Sequence, residues 1–388
     1  MNNEEIYFNL NPVNFFIVSG LVQNFILAGI LFFRKAETQL ASRFLSITIF
    51  IVNAHITYLM VLDTNFDTIF PTSLWVPYSY LTAIGPLIYF YTQALINTNF
   101  NISSVQIKHF IPVMVEVALQ TVIIVDSSSK DQMFYNSSLY FYIIPLLYTW
   151  TAGSILYYLH LSLDIINDYD KWVFKNFSNL KEITLKWLRK FIVYYRLLWM
   201  IWIPVGALFL LFFRFQLQYL FVVLTLYVLI LLLTYLTLWI GLEGLGLRNF
   251  VFIGYNSKKV ENKNFRKLTH NEIQEYVERI TKLMVKEKIY LNENLSLKEM
   301  SSYLEADPNL ISFILNNHLE KNFYDFINSY RIEEVKNKLN DANYKDLTLL
   351  GIALESGFNS KTTFNRVFKK VTGITPTKFQ KERNTSLK

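Results

Sequence analysis

The sequence contains no cysteine, which excludes a disulfide framework, a thiolate metal site and a cysteine nucleophile. Histidine is also scarce, and its five positions show no metal-ligand spacing: His55, His109, His160, His270 and His318. The sequence has no P-loop, dinucleotide fingerprint, nucleophile elbow or zinc motif. We therefore expect no catalytic residue, no metal and no cofactor, and we predict that the chain is not an enzyme.

Charge is the second deficit. Charged residues make up 17% of the 388 residues and hydrophobic residues 52%, whereas a typical soluble protein has about 25% charged residues. Residues 1–240 hold 13 Lys and Arg against 12 Asp and Glu, and residues 241–388 hold 24 against 18. The net charge of +7 therefore divides as +1 and +6, which predicts an anionic partner for the C-terminal part.

Seven apolar runs are long enough to cross a membrane as helices, since about 20 residues span the hydrocarbon core. They cover about 13–33, 43–62, 72–96, 109–125, 139–160, 191–213 and 219–240. The leader before the first run is acidic and lacks the basic start of a signal peptide, so this run is predicted to be a retained span. We expect residues 1–245 to form a seven-span transmembrane sensory domain.

Lys and Arg in the short loops predict the orientation, because cytoplasmic loops carry an excess of both. With loops on alternate sides, one side receives only Lys130 and Arg214. The other receives ten residues: Arg34, Lys35, Arg43, Lys108, Lys171, Lys175, Lys181, Lys186, Arg189 and Lys190. The N-terminus is therefore predicted outside, and an odd number of spans places the C-terminal part in the cytoplasm.

Two features of the apolar part leave alternatives open. Polar side chains within the predicted spans either form a sensor pocket, for which we select His55, Glu116 and Gln120, or make hydrogen bonds between helices. The segment 164–190 mixes aromatic and charged residues. It either lies along the membrane surface or acts as a transmitter that touches the C-terminal domain.

The C-terminal part begins with a predicted linker, residues 246–270, followed by a domain over residues 271–388. Its first helix carries a single apolar stripe that we expect to pack on the domain: Ile273, Val277, Ile280 and Met284. A helix-turn-helix unit is then predicted at about 296–319. Ser296 and Glu299 suit a capping box, and Asp307 and Pro308 suit the start of the second helix, which is expected to end near Leu319.

A second helix-turn-helix unit is predicted at about 348–371, after a joining helix over 323–339. In its second helix, Phe364, Val367 and Phe368 form the inner face. The outer face carries residue types that bind base edges, namely Lys361, Thr362, Asn365 and Arg366. Lys369 and Lys370 follow, where contacts to phosphate groups are expected.

These residues carry a resemblance to a known family. Residues 295–383 resemble the double helix-turn-helix DNA-binding domain of AraC/XylS-type regulators, most specifically through IALESGFNSKTTFNRVFKKVTGITPTKF, residues 352–379. The joining helix matches as well, at Phe323, Phe326, Ile327, Arg331 and Ile332. Together with the apolar part, the chain resembles membrane-bound AraC-type regulators of bacteria.

The resemblance implies base contacts at Lys361, Thr362, Asn365 and Arg366 in the second unit and at Asn309, Ser312 and Phe313 in the first. The first recognition helix departs from many family members, since it carries Phe313 and no basic residue before Lys321. We expect that unit to contact DNA weakly, through Asn309, Ser312, Asn316 and Asn317.

The predicted fold class is all-α, a seven-helix transmembrane bundle followed by a cytoplasmic AraC-type double helix-turn-helix domain. The predicted location is the bacterial inner membrane. The expected partners are double-stranded DNA, the lipid bilayer, an unidentified small-molecule or envelope signal, and a second copy of the chain. The alternative is a transporter or channel-like protein whose basic helical tail binds a protein or anionic lipid.

Overall fold

The computed structural model describes residues 12–35, 38–64, 80–97, 100–129, 138–180, 183–214, 220–246 and 269–386. The chain divides into two compact units. The first contains Met1–Asn167 and Leu185–Asn256, and the second contains Asp168–Thr184 and Ser257–Lys388. Most of the predicted linker, residues 247–268, lies outside the described residues. Over the described ranges the secondary structure is helical, with one isolated β-bridge.

Within the described residues, helices overlap the predicted apolar runs in whole or in part: α1 (Pro12–Phe33), α2 (Gln39–Asp63), α3 (Ile84–Ile96), α4 (Ile111–Ser129), α5 (Ser138–Asn176), α6 (Lys186–Arg214) and α7 (Leu220–Gly246). A 3-10 turn, Leu81–Ala83, precedes α3. A short helix, Ser104–Ile107, and a second 3-10 turn, Lys108–Phe110, precede α4. The last residues of α5, from Asp168, belong to the second unit.

Within the described residues, four helices are long and apolar enough to cross a membrane, where the sequence predicted seven. They are Pro12–Phe33, Gln39–Val61, Ser104–Asp126 and Leu224–Gly246, and the apolar helix Leu81–Ile96 is shorter. The start of the third predicted run, residues 72–79, lies outside the described residues. In α5, many Tyr and Trp residues lower the mean hydropathy, although both side chains suit the membrane–water interface.

Helix α1 shows how the first unit packs. Its buried side chains follow one stripe and include Ile17, Leu21 and Leu31, while the opposite face exposes Phe16, Ile26 and other large apolar residues. A helix that is apolar on all sides but buried on only one is typical of contact with lipid. The exposed face of α1 therefore fits a position at the edge of a membrane bundle.

Contact between α1 and α7 depends on small and polar residues. A Cβ atom added to Gly20 would lie 2.4 Å from Cγ2 of Thr234, so only glycine allows this approach. Asn24 donates hydrogen bonds to the carbonyl of Thr234 (3.1 Å) and to Oγ1 of Thr237 (3.0 Å). Close approach at small residues and hydrogen bonds between helices are the usual means of helix association in membranes.

In the described part of the second unit, seven further α-helices follow: α8 (His270–Lys282), α9 (Leu297–Tyr303), α10 (Pro308–Asn317), α11 (Phe323–Asn340), α12 (Leu349–Glu355), α13 (Lys361–Thr372) and α14 (Pro376–Ser386). A π-helical turn, Leu283–Glu287, extends α8, and 3-10 turns cover Ile289–Leu291 and Ala342–Tyr344. Ile280 and Met284 of the predicted stripe are buried in a core with Ile311, Ile314 and Leu315. This confirms that α8 packs on the domain.

Side-chain caps begin both helices of the first helix-turn-helix unit, as predicted. Asp307 accepts a hydrogen bond from the amide of Asn309 at 2.8 Å, and proline occupies the first turn of α10. Ser296 accepts from the amide of Glu299 at 3.2 Å, whereas the Glu299 carboxylate accepts from Asn292. Of the predicted capping box, the hydrogen bond to the Ser296 hydroxyl is present, whereas the Glu299 carboxylate binds Asn292. Helix α10 ends at Asn317, two residues before the predicted end.

Candidate nucleic-acid interface

Helix α13 presents the predicted base-contacting face to solvent. Ser360 caps the helix through a hydrogen bond from the amide of Thr363 at 3.3 Å. The inner face is fully buried, with Phe364 and Phe368 at 1% and 0% exposure. The exposed side chains lie on the other face: Lys361, Thr362, Asn365, Arg366, Lys369 and Lys370. The helix therefore combines a rigid apolar support with a continuous polar surface.

A row of aromatic rings packs along the buried face of α13. Phe358 contacts Phe364 edge-to-face at 5.4 Å between ring centroids, Phe364 contacts Phe368 at 5.6 Å, and Phe368 contacts Phe379 of α14 at 5.4 Å. Edge-to-face pairs of this kind contribute about 0.5–1.5 kcal/mol each beyond their buried area. The recognition helix is therefore held by packing along its length.

The turn between α12 and α13 requires glycine. Gly357 has a φ of +89°, in the left-handed region, and an added Cβ would lie 2.4 Å from the carbonyl oxygen of Tyr290. The same Cβ would lie 2.9 Å from Nε of Arg331, a buried residue of α11. The second helix-turn-helix unit is therefore in direct contact with the middle of the joining helix.

Two of the predicted DNA-contacting side chains also bind the start of α11. The guanidinium of Arg366 donates a hydrogen bond from Nη2 to the Tyr324 hydroxyl at 2.9 Å and lies 5.8 Å from the centroid of its ring. Lys370 forms an ion pair with Asp325 at 2.7 Å. Burial raises the pKa of Tyr324, which keeps the phenol protonated at neutral pH. An arginine has five N–H donors, so donors remain for a base.

The hydrogen-bonding groups of four other predicted side chains of α13 are not used within the described part of the protein. The side chains of Lys361, Thr362, Asn365 and Lys369 make no hydrogen bond or ion pair with any residue that the structure describes. These four side chains are exposed and lie on the same face of the helix. This arrangement suits base edges and phosphate groups in a major groove.

The first recognition helix, α10, offers a weaker surface. Asn309 is exposed, whereas Ser312 and Asn316 are half-buried and bonded to each other, with Asn316 Nδ2 lying 2.6 Å from the Ser312 carbonyl and 3.2 Å from Oγ. Phe313 packs against the core and the ring of His318. The helix carries no cation, so its contribution to phosphate binding is small.

Helix α11 separates the two helix-turn-helix units. It contains 18 residues, which corresponds to about 27 Å of helix. Successive major grooves on one face of DNA lie about 34 Å apart. With the flanking turns added, the length of α11 suits two recognition helices in neighbouring grooves.

Tyr324 and Asp325 are not among the functional residues predicted from the sequence. They lie 42 and 45 positions from their partners Arg366 and Lys370. No local period connects residues at that separation, because only the packing of α11 against α13 brings them together. The sequence predicts only the two faces of α13, without the residues that face it on α11.

The candidate sensor residues lie in the first unit. Glu116 and Gln120 line a cavity of about 20 Å³ with Leu81 and Tyr148, and the His55 ring lies 6.5 Å from the ring of Tyr148. Glu116 accepts a hydrogen bond from the amide of Thr82 at 3.1 Å and another from its hydroxyl. Glu116 of α4 is therefore hydrogen-bonded to the turn before α3, which is the second of the two alternatives for the buried polar residues. The cavity has room for about one water molecule.

Comparison with known proteins agrees with this geometry. A family described as "Helix-turn-helix domain" matches residues 300–382. Uncharacterized HTH-type transcriptional regulators of Staphylococcus aureus strains COL and MSSA476 are each 33% identical over 113 residues, which cover 29% of this chain and 13% of each relative. The probable transcription factor PqrA of Proteus vulgaris is 38% identical over 71 residues, 16% of this chain and 56% of the relative.

No solved structure matches the chain. The chain spans only about an eighth of the length of its staphylococcal relatives. The matched residues include both recognition helices and the joining helix between them. The C-terminal part of this chain is therefore an AraC-type helix-turn-helix domain, similar to those of bacterial transcription regulators.

Proposed function

We propose that the chain is a membrane-anchored bacterial transcription regulator whose C-terminal domain binds specific DNA sequences in the cytoplasm. One observation carries the proposal. The exposed face of α13 presents Lys361, Thr362, Asn365 and Arg366 side by side on a helix whose opposite face is buried. Arg and Lys bind guanine, Asn binds adenine and the Thr methyl contacts thymine, so this surface can distinguish base pairs.

The second unit carries most of the sequence discrimination in this proposal. Its recognition helix has four exposed polar side chains at the base-contacting positions and two lysines beyond them, whereas α10 has Asn309 exposed and its other polar groups partly engaged. We expect a binding site of about two helical turns with unequal halves. A second copy of the chain would extend this site, as dimers of helix-turn-helix proteins do.

The membrane part of the proposal is a seven-span bundle with its N-terminus outside. Support comes from the four apolar helices long enough to span, from the exposed apolar face of α1, and from the ten-against-two distribution of Lys and Arg in the loops. An odd number of spans brings the basic C-terminal domain to the side where DNA is found.

Signal detection is assigned to the bundle. The cavity beside Glu116 and Gln120 is far smaller than the roughly 300–1,000 Å³ of a pocket for an organic ligand. The nitrogens of the His55 ring are buried and have no hydrogen-bond partner among the described residues. A signal acting here would therefore change helix packing or hydration. Coupling to DNA binding requires a two-state element that both sites influence.

Selection from a random pool tests DNA binding. The full chain in lipid nanodiscs is incubated with 30-base-pair duplexes of random sequence, and the retained duplexes are sequenced. We expect an enriched motif and protection of about two helical turns in footprinting. Retention of all sequences alike, together with binding to empty anionic vesicles, would instead assign the basic tail to lipid.

A further inference from the structure

One segment of the second unit comes from far earlier in the sequence. Residues 168–180, here called the docking segment, comprise the end of α5 and the loop after it. Phe177 forms an antiparallel β-bridge with Ser296, the cap of α9. Asn179 donates a hydrogen bond to the Asn294 side chain at 3.2 Å. The segment thus pairs with the chain immediately before the first helix-turn-helix unit.

Ser178 is buried in this contact at 1% exposure. Its amide and its hydroxyl both donate to the carbonyl of Leu295, at 3.3 and 2.7 Å. Its carbonyl accepts a hydrogen bond from Asn328 of α11 at 3.3 Å. Both the backbone and the side chain of Ser178 therefore make hydrogen bonds to the C-terminal domain, which a helix lying on a membrane surface would not make.

Ser178 also completes the shell around a buried cation. Arg331 is 2% exposed, and it donates to the carbonyls of Tyr290 and Asn292, both at 2.7 Å, and to Oδ1 of Asn328 at 3.3 Å. Its other two acceptors are the hydroxyl and carbonyl of Ser178, at 3.0 and 3.4 Å. Burial lowers the pKa of Arg331 to about 10, so the side chain is still charged at neutral pH. A buried charge requires such partners.

A second contact of the docking segment is with Tyr324 of α11, which binds the recognition helix. Phe174 meets the Tyr324 ring edge-to-face, with 5.3 Å between centroids and an angle of 84° between planes. Tyr324 in turn binds Arg366 through its hydroxyl and its ring. The docking segment, the joining helix and the base-contacting arginine therefore form a continuous chain of contacts.

Docking leaves the predicted DNA surface open. With the segment in place, Asn309 of α10 and Lys361, Thr362, Asn365 and Lys369 of α13 all remain exposed. The segment contacts the supporting side of the domain, at residues that hold the recognition helices. It is therefore suited to support DNA binding and does not block these groups.

We propose that the docking segment is a built-in ligand that completes the DNA-binding domain, with Phe174 and Tyr324 as positioning residues for Arg366. The docked form is the DNA-competent form, and withdrawal of the segment lowers specificity. This inference rests on the proposed function. It supplies the two-state element that the function requires, because the segment continues α5, which begins at Ser138 in the first unit.

A cysteine pair tests which form is competent. The chain has no natural cysteine, so Asn179→Cys with Asn294→Cys introduces a single pair at two side chains already in hydrogen-bond contact. In nanodiscs, oxidation should trap docking and preserve binding of the duplex enriched from the random pool. Loss of that binding on oxidation, restored by a reductant, would overturn the proposal, since docking would then be inhibitory. Each single-cysteine variant serves as a control.

A double-mutant cycle tests the path through Tyr324. In the full chain, Phe174→Ala should reduce the preference for the enriched over a scrambled duplex by about 3- to 10-fold, the value expected for one aromatic pair. In an Arg366→Ala background the same change should have no further effect. Lys175→Ala, an exposed neighbour in the segment, is the matched control. Tyr324→Phe removes only the hydroxyl and should also reduce the preference.

The outcomes separate this inference from the proposed function. If Arg366→Ala reduces the preference and Phe174→Ala does not, the inference is wrong and the DNA-binding function stands. Equal losses from Phe174→Ala with and without Arg366 would also contradict it, because the effect would bypass the arginine. If the unaltered chain shows no preference for any duplex, the proposed function itself fails.

Discussion

Replacing Gly357 by alanine tests how tightly the second helix-turn-helix unit is joined to α11. The added methyl group would lie 2.4 Å from the carbonyl oxygen of Tyr290 and 2.9 Å from Nε of Arg331. Those two atoms are themselves joined by a hydrogen bond of 2.7 Å. The substitution therefore strains a left-handed residue and also separates the buried cation from one of its acceptors.

The cost follows from these two effects. A left-handed conformation costs a residue other than glycine about 1–2 kcal/mol, and loss of a hydrogen bond from a charged group costs about 1.5–3 kcal/mol. Gly357→Ala should therefore destabilise the turn by about 2.5–5 kcal/mol. Gly373 isolates the first effect, because its φ is +80° but nothing lies within 4 Å of an added Cβ. Gly373→Ala should cost only about 1–2 kcal/mol.

Hydrogen exchange of the full chain in nanodiscs measures this difference. Amides of α12 and α13 should exchange roughly 70- to 5,000-fold faster in Gly357→Ala, and those of α13 roughly 5- to 30-fold faster in Gly373→Ala. Gly351→Ala, within α12, places the added Cβ 3.4 Å from the nearest neighbouring atom, an ordinary contact, and should not accelerate exchange. Equal acceleration by the first two variants would refute the proposed contact with Arg331.

Three further outcomes are expected. Arg366→Ala should weaken binding of the enriched duplex by about 1–3 kcal/mol and binding of scrambled DNA by less, measured by fluorescence anisotropy, and equal losses would rule out base contact. Lys369→Ala should weaken binding to all sequences alike and make the slope of log K against log[salt] shallower by about 0.9, whereas an unchanged slope would exclude a phosphate contact. Cysteines placed singly at Lys130 and Lys35 should react with an impermeant maleimide from outside the cell only at Lys130, and labelling at Lys35 would contradict the predicted orientation.

The C-terminal domain could be predicted in detail because its signals are local. The spacing of Phe364, Val367 and Phe368 defines the inner face of α13, and the same three residues are buried in the structure. Ser296 and Asp307 act as helix caps, as predicted, because a side-chain oxygen satisfies an amide two or three residues away. Such rules operate within one or two turns and need no tertiary information.

The apolar part could be predicted less fully. Hydropathy identifies α1, α2, α4 and α7 in both the sequence and the structure. It is less decisive for α5, whose tyrosines and tryptophans lower the mean hydropathy, and for the third run, which is only partly described. Length and composition indicate where a helix can cross a membrane, but the polar contacts between helices, such as Glu116 with Thr82, depend on packing.

The sequence by itself determined the approximate positions of α8 to α13, the buried face of α13, and the identity of the C-terminal domain. For residues 164–190 it left two interpretations open, and the tertiary structure favours contact with the C-terminal domain. Ser178 and Arg331 lie 153 positions apart, and Phe174 and Tyr324 are equally remote. No sequence period connects residues at such distances. Ser178 pairs with Arg331 because a buried guanidinium requires several hydrogen-bond acceptors, and a distant segment of the chain supplies two of them.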